Sequence, residues 1–385
     1  YRYNEDELQT GYYSPQTQDY EPIPEDSRQI TVKQLRAQKV PVGVSPQAGI
    51  PAHILEEWRR EPQGVVAHNG SASVLDMGDG VALLEFHSQA NTIDLDLIEM
   101  SWQALDILSR DFDALVVSHD GERFSIGANV FMIVMATQSG QLAQVEQMIA
   151  RLQDLSQAMR YHAKPVVTAP FNMALGGGVE LLLSGTQIVA HAELYAGLVE
   201  FGVGLIPAGG GCKELLRRVV SPVMAAAPNA DVLPHLQKVF EQIATAKVST
   251  SAMEAREMGF LAADDKIVMN RSLLLGEAKR AARHLADNYR PKRAGKVWAA
   301  GRDAYAALLI GIEGFRESGL ATDYDAHLAR KLAYILTGGA LSEPQWVDEQ
   351  VILNLEREAF MSLVEEPKTQ ERITHMLQTN KPLRN

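Results

Sequence analysis

Two glycine-rich runs are where this chain could do chemistry: ALGGGVE at 174–180 and GLIPAGGG at 204–211. Glycine lets a backbone approach a ligand closely and leaves its N–H donors uncovered. Neither run spells a dinucleotide fingerprint, because Gly202 and Gly204 lead into Leu205, Ile206 and Pro207, and no Walker lysine follows either run. The surroundings of the first run say more. The apolar stretch PVVTA at 165–169 reads as a strand, and Gly176, Gly177 and Gly178 then open a helix whose first turn carries Glu180. A helix start offers unpaired N–H groups and the positive end of a dipole, which suit an anion forming on a substrate oxygen. The same field favours an ionised Glu180. An oxyanion donor and a base would then stand side by side. Against this, tight turns and close packing explain most glycine runs, and glutamate is common in any first helical turn.

Other titratable residues carry less. His87, His119 and His162 have no base-and-nucleophile partner at readable spacing. Cys212 precedes the helical stretch KELLRRV, where a dipole could acidify its thiol, but a packed small side chain is the reading taken. As the single cysteine it makes no internal disulfide and leaves no cysteine cluster for zinc, which fits a reducing, cytoplasmic compartment. The basic run RPKRAGK at 290–296 reads as a solvated loop.

The elements that must position these residues follow from composition and periodicity. The chain has 385 residues, 46% hydrophobic, which is enough for one large core or two smaller ones. With 36 Lys plus Arg against 48 Asp plus Glu, the formal charge of −12 disfavours a nucleic-acid duplex as partner. The uncharged stretch 124–145 is interrupted by polar residues and glycine, so no membrane span is expected. Residues 1–70, rich in Pro, Gln, Tyr and acidic side chains, read as a linker or arm with one short helix around 54–60. From Ser71 a hairpin turning on Gly78, Asp79 and Gly80 is expected, then a helix over 93–109. Strands at 114–118, 165–169 and 187–190 alternate with helices near 139–160 and 178–184, which argues for an α/β fold. Beyond Leu233 only helical patterns are read, broken at Gly259, Pro291, Gly311, Gly338 and Pro367. In this all-helical region Ser342 and Gln345 have capping-box spacing, ahead of a stripe of Val347, Val351, Leu355, Ala359 and Leu363.

The segment KPVVTAPFNMALGGGVELLLSGTQIVAHAELYAGLVEFGVGLIPAGGG at 164–211, with RFSIGANV at 123–130, closely resembles the crotonase superfamily and especially its enoyl-CoA hydratases. The flanks, YYSPQTQDYEPIP, ARKLAYILTGG and the C-terminal LEREAFMSLVEEPKTQERITHMLQTNKPLRN, look like a bacterial bifunctional protein in which a 3-hydroxyacyl-CoA dehydrogenase precedes a crotonase domain. The resemblance implies a crotonase-like core of repeated ββα turns at 71–266, followed by helices at 267–385. It implies two oxyanion donors, the backbone N–H groups of Ile126 and Gly177, and two catalytic carboxylates, Glu180 and Glu200. Asn91 falls where the family approaches the adenine end of CoA. Two departures stand out: Ile126-Gly127-Ala128-Asn129 replaces the usual Ala-Gly-Ala-Asp, and Val199 replaces a proline before the second glutamate.

The implied function is reversible syn-addition of water to a trans-2-enoyl-CoA, giving a 3-hydroxyacyl-CoA in β-oxidation. No metal or redox cofactor is expected; the CoA thioester is the substrate. NAD is expected only for an upstream dehydrogenase, of which this chain would be the downstream part, and the implied partners are that domain or further copies of the chain. The alternatives are double-bond isomerisation within the superfamily and an idle acyl-CoA-binding module that positions a dehydrogenase.

Overall fold

The structure, a computed structural model, describes residues 2–4, 7–14, 19–22, 55 and 64–385. The chain divides into two compact units, Tyr1–Ala48 and Gly49–Asn385. In the first, within the stretch read above as an arm, β1 (Arg2–Asn4), β2 (Glu7–Ser14) and β3 (Asp19–Pro22) form an antiparallel sheet in that order. The short helix expected around 54–60 lies outside the described residues, apart from Leu55, which is helical and buried.

The second unit opens with an antiparallel meander of β4 (Val65–His68), β5 (Ala72–Asp76) and β6 (Val81–Phe86). The β5–β6 turn is the expected one, with Gly78, Asp79 and Gly80 all at positive φ. Helix α1 (Leu95–Asp111) is capped by Asp94, which accepts from the Leu97 N–H at 2.8 Å. Its buried Leu105 and Leu108 face the core, each contributing about 1.5 to 3 kcal/mol by leaving water.

Repeated turns of superhelix follow. β7 (Ala114–Val117) leads through the loop around Ser125 to α2 (Val130–Gln138) and α3 (Leu142–Arg160). β8 (Val166–Thr168) and β9 (Asn172–Leu175) lead to α4 (Gly177–Leu183). β10 (Gln187–His191) and β11 (Leu194–Gly197) lead to a 3₁₀ turn, Glu200–Val203, and to α5 (Gly211–Leu215). The first strand of each turn joins one sheet, ordered β12-β10-β8-β7-β6-β5-β4, in which β12 is Lys266–Val268 and the strands from β6 onward run parallel. The second strands stack as the parallel pair β9–β11, extended by a bridge between Ser125 and Ala174. β7 and β8 are buried along their whole length, as parallel strands covered on both faces must be. Helices α6 (Ser221–Ala226), α7 (Leu233–Ala244) and α8 (Ala252–Glu257) lead to β12, and α9 (Leu274–Asp287) packs on β7, β8 and β10.

The C-terminal region is helical but not all-helical. β13 (Lys296–Ala299) and β14 (Gln345–Asp348) pair antiparallel, with Trp298 opposite Trp346 in edge-to-face contact. Between them lie α10 (Gly301–Glu317), which runs through Gly311 instead of breaking there, and α11 (Asp323–Leu336). The capping-box reading at Ser342 and Gln345 is corrected: Gln345 and Val347 are strand, and α12 (Glu349–Val364) begins after Asp348. Its buried face is Ile352, Leu353, Glu356, Phe360 and Leu363, whereas Val351 is 39% exposed. The last helix, α13 (Pro367–Thr379), starts on its proline as expected. α12 packs on α3 and α5, and α13 packs on α2 and the 3₁₀ turn of Glu200.

Candidate active site

The loop carrying Ile126 is fastened from two sides. Ser125 exchanges backbone hydrogen bonds with β9, donating to Met173 O at 3.0 Å and accepting from Leu175 N–H at 2.9 Å. Its hydroxyl donates to Asn91 O at 2.7 Å, and Ile93 N–H donates to Gly127 O at 2.9 Å. At Gly127, where φ is +92°, a Cβ would sit 2.8 Å from Leu175 O and 3.0 Å from Gly177 N. Only glycine fits, and its absent side chain lets the 126–127 backbone lie against the start of α4. Among the described residues neither Ile126 N–H nor Gly177 N–H donates to a protein acceptor. Asn129, standing where the family usually has Asp, caps α2 by accepting from Met132 N–H at 3.2 Å.

Asn91 sits beside this loop, with its side-chain amide donating to Arg123 O at 2.8 Å and its carbonyl taking the Ser125 hydroxyl. Its contacts hold the loop. The histidines also have structural partners: the buried His119 accepts from Gly121 N–H at Nδ1 and donates from Nε2 to Phe124 O at 2.9 Å, which defines a neutral ring.

Glu180 lies in the first turn of α4, 4% exposed. Its Oε1 accepts from Gly209 N–H at 2.7 Å and from Gly211 N–H at 2.8 Å, so the second glycine run serves the glutamate of the first. Burial pushes its carboxyl up to about 7, against the pull of those N–H groups and of the Lys213 ammonium. Glu200 opens the 3₁₀ turn, and its Oε1 is 3.0 Å from where a Gly176 Cβ would be. Among the described residues its Oε2 is buried without a hydrogen-bond partner. Burial first, and the Glu180 charge second, raise Glu200 well above the usual carboxylate range. The structure thus brings Ile126, Gly177, Glu180 and Glu200 together around Gly176 and Gly127, with Asn91 supporting from behind.

Sequence reasoning missed Glu356 on α12, fully buried, whose Oε2 accepts from Gly210 N–H at 2.8 Å and Oε1 from Lys213 N–H at 2.7 Å. The available signal was a charged residue in phase with the buried face of α12. Gln153 on α3 was missed as well; its amide donates to Ala208 O at 2.7 Å and Leu353 O at 2.8 Å, tying the glycine turn to α12. Cys212 is the packed small side chain expected: its thiol is buried, and burial with the charges of Glu356, Glu180 and Glu200 raises it.

A buried and a half-buried carboxylate of raised proton affinity beside unspent N–H donors can move protons and stabilise an oxyanion. The fold that carries them is the crotonase fold, an α/β superhelix of ββα turns with a helical C-terminal region. Residues 76–292, more than half of the chain, match the enoyl-CoA hydratase/isomerase family, and the chain belongs to that family of the crotonase superfamily. It is similar to a probable 3-hydroxyacyl-CoA dehydrogenase of Bacillus subtilis, 47% identical over 331 residues that cover 85% of this chain and 41% of the relative. It is also similar to a putative fatty acid oxidation complex trifunctional enzyme of Rickettsia felis, 24% identical, covering 80% of this chain and 39% of the relative. The chain therefore spans about two-fifths of the length of these relatives. Among solved structures, a carnitinyl-CoA dehydratase of Mycobacterium thermoresistibile shares the fold at a TM-score of 0.56 and 17% identity, covering 81% of this chain and 91% of that one. Among the described residues no helix is long and apolar enough to cross a membrane.

Proposed function

We propose that this chain reversibly hydrates trans-2-enoyl-CoA thioesters to 3-hydroxyacyl-CoA. The observation that carries the reading is the pair Glu180 and Glu200, one carboxylate anchored by the Gly209 and Gly211 N–H groups and the other resting on Gly176, beside the N–H groups of Ile126 and Gly177. Glu180, held by two backbone N–H groups, is the more readily ionised and takes a proton from water. The resulting hydroxyl adds at the β carbon, and charge moves through the conjugated system onto the thioester oxygen, where Ile126 and Gly177 donate to it. Each such donor is worth about 3 to 4 kcal/mol of barrier lowering. Glu200, kept protonated by burial and by its neighbour, delivers a proton to the α carbon.

The reaction consumes water and transfers no hydride, so it calls for no redox cofactor. In this reading the dehydrogenase activity in the name of the Bacillus relative belongs to the part of that protein lying outside the match, and NAD with it. Such a dehydrogenase would take the 3-hydroxyacyl-CoA onward and is the partner proposed for this chain.

The test is a steady-state assay over short, medium and long trans-2-enoyl-CoAs, with NAD present. Loss of the conjugated absorbance, accumulation of 3-hydroxyacyl-CoA and no NADH are expected. Conversion of a 3-enoyl-CoA to its 2-enoyl isomer without water uptake would make the chain an isomerase. Thermal protection by acyl-CoA with no turnover would make it a binding module.

A further inference from the structure

We propose that Glu356 is a positioning residue for the hydration assigned above: from α12 it fixes the glycine turn that holds Glu180, and so decides which Glu180 oxygen is left to meet the reacting water. The proposal rests on the hydratase reading for its kinetic consequence, and on geometry alone for the positioning.

The turn hands out its N–H groups alternately. Gly209 and Gly211 give theirs to Glu180 Oε1, while Gly210 and Lys213 give theirs to the two oxygens of Glu356. Alternation needs the left-handed Gly210, with φ at +116°, which turns its own N–H away from those of its neighbours. Gly210 is also the N-cap residue of α5, and it has no side chain to cap that helix. Glu356 supplies what is lacking. By taking the N–H of the cap residue and of the third helical residue, it does from another helix what both partners of a capping box do locally.

Both oxygens of Glu180 are thereby defined. Oε1 is saturated by two N–H groups, and Oε2 lies 2.4 Å from the place a Cβ on Gly209 would occupy, so the turn is also the wall against which that oxygen rests. Gln153, donating to Ala208 O and Leu353 O, locks the residue before the turn to the α12 backbone one helical turn ahead of Glu356. Arg357 closes the linkage with a bond to Gln153 Oε1 at 2.8 Å. A serine or threonine in the turn would cap α5 without burying a charge. The carboxylate also titrates in company: burial and the Glu180 charge raise Glu356, with Glu200, the Lys213 ammonium and the Cys212 thiol as the other titratable groups facing the pair.

Glu356→Gln in the full chain tests this. Its amide keeps one acceptor and turns a donor toward the other N–H. Two readouts are needed: kcat against KM for the four-carbon trans-2-enoyl-CoA, and the titration midpoint of the Glu180 carboxyl by infrared difference spectroscopy, assigned through its loss in Glu180→Gln. The expected result is a kcat about 10-fold lower with KM within about twofold, the signature of a displaced reacting group. The Glu180 midpoint is expected to move to higher pH, since the displaced turn no longer aims the Gly209 and Gly211 N–H groups, which favour the ionised form, at Glu180 Oε1. A folded variant whose Glu180 midpoint stays at the wild-type value overturns the proposal whatever its kcat. Should Glu356→Gln not fold, Glu356→Asp decides: a carboxylate withdrawn by one methylene must displace the midpoint, and an undisplaced one overturns the proposal. If the wild-type chain hydrates no enoyl-CoA, the hydratase reading fails, while the midpoint comparison still decides the role of Glu356.

Discussion

The carboxylate of Glu200 rests directly on Gly176, its Oε1 3.0 Å from the position a Cβ there would take. Gly176 also holds φ at +54° and ψ at −125°, a conformation closed to other residues, and its N–H donates to Gly197 O at 2.8 Å. One missing side chain therefore sets both the start of α4, with its free Gly177 N–H, and the place of the second carboxylate.

Gly176→Ala should disturb both at once. Backbone strain costs about 1 to 3 kcal/mol at such a position, and the added methyl drives Glu200 outward. Hydration turnover is expected to fall by about 10²-fold or more, with a lower midpoint in thermal denaturation. Wild-type turnover in a folded Gly176→Ala protein would show that Glu200 need not stand where it does.

Glu180→Gln and Glu200→Gln should each lower turnover by at least about 10²-fold, because an amide neither accepts the water proton nor donates one to carbon. Affinity for a saturated acyl-CoA, read by calorimetry, should survive, since the oxyanion donors are backbone groups. A variant retaining near wild-type turnover would take that residue out of the reaction.

Legibility in the sequence followed how local each cause is. The Gly78–Gly80 hairpin and the apolar runs of β7, β8 and β10 carry their own signals, and so does the glycine start of α4 with Glu180 in its first turn. β9, β11, β13 and β14 do not: each is a four-residue strand held by a distant partner, as Trp298 is by Trp346. Glu200 had no local signal either, since it meets Gly176 only through the β9–β11 pair, and the family resemblance alone pointed to it. Glu356 reaches the glycine turn across more than 140 residues, and no spacing rule spans that distance.

Glu180 also predicts how stability depends on pH. Its carboxyl rises from an ordinary value of 4.5 to about 7 in the folded chain, so the native state holds that proton more tightly than the unfolded one. The stability this contributes is complete below pH 4.5 and is lost as pH rises through 7. Glu200 and Glu356, also raised, act in the same direction. Glu180→Gln, which keeps an oxygen for the Gly209 and Gly211 N–H groups, should therefore gain on wild type between about pH 5 and pH 8, by on the order of 1 to 3 kcal/mol at the upper end. Thermal denaturation across that range gives the answer. A difference between the two proteins that does not change with pH would mean that Glu180 titrates at its ordinary value.

The turn behind Glu200 is clamped by the last helix. Thr369 on α13 is fully buried, its hydroxyl donating to Gly204 O at 2.7 Å while accepting from the Tyr324 hydroxyl at 2.6 Å. The order of donation is forced, because the carbonyl of Gly204 can only accept. Gly204 in turn closes the 3₁₀ turn with φ at +80°, and Leu205 N–H donates back to Glu200 O at 3.0 Å, so a shift at Gly204 reaches the carboxylate. Thr369→Val preserves shape but strips the hydrogen bond from Gly204 O and from the Tyr324 hydroxyl. Leaving the buried Gly204 O unsatisfied should cost about 1 to 3 kcal/mol in chemical denaturation. Thr369→Ser, which keeps the hydroxyl, should recover most of that and most of the hydration kcat lost by the valine variant. Equal stability in the valine and serine variants would show that packing of the side chain, and not the hydroxyl chain from Tyr324 to Gly204, secures the turn.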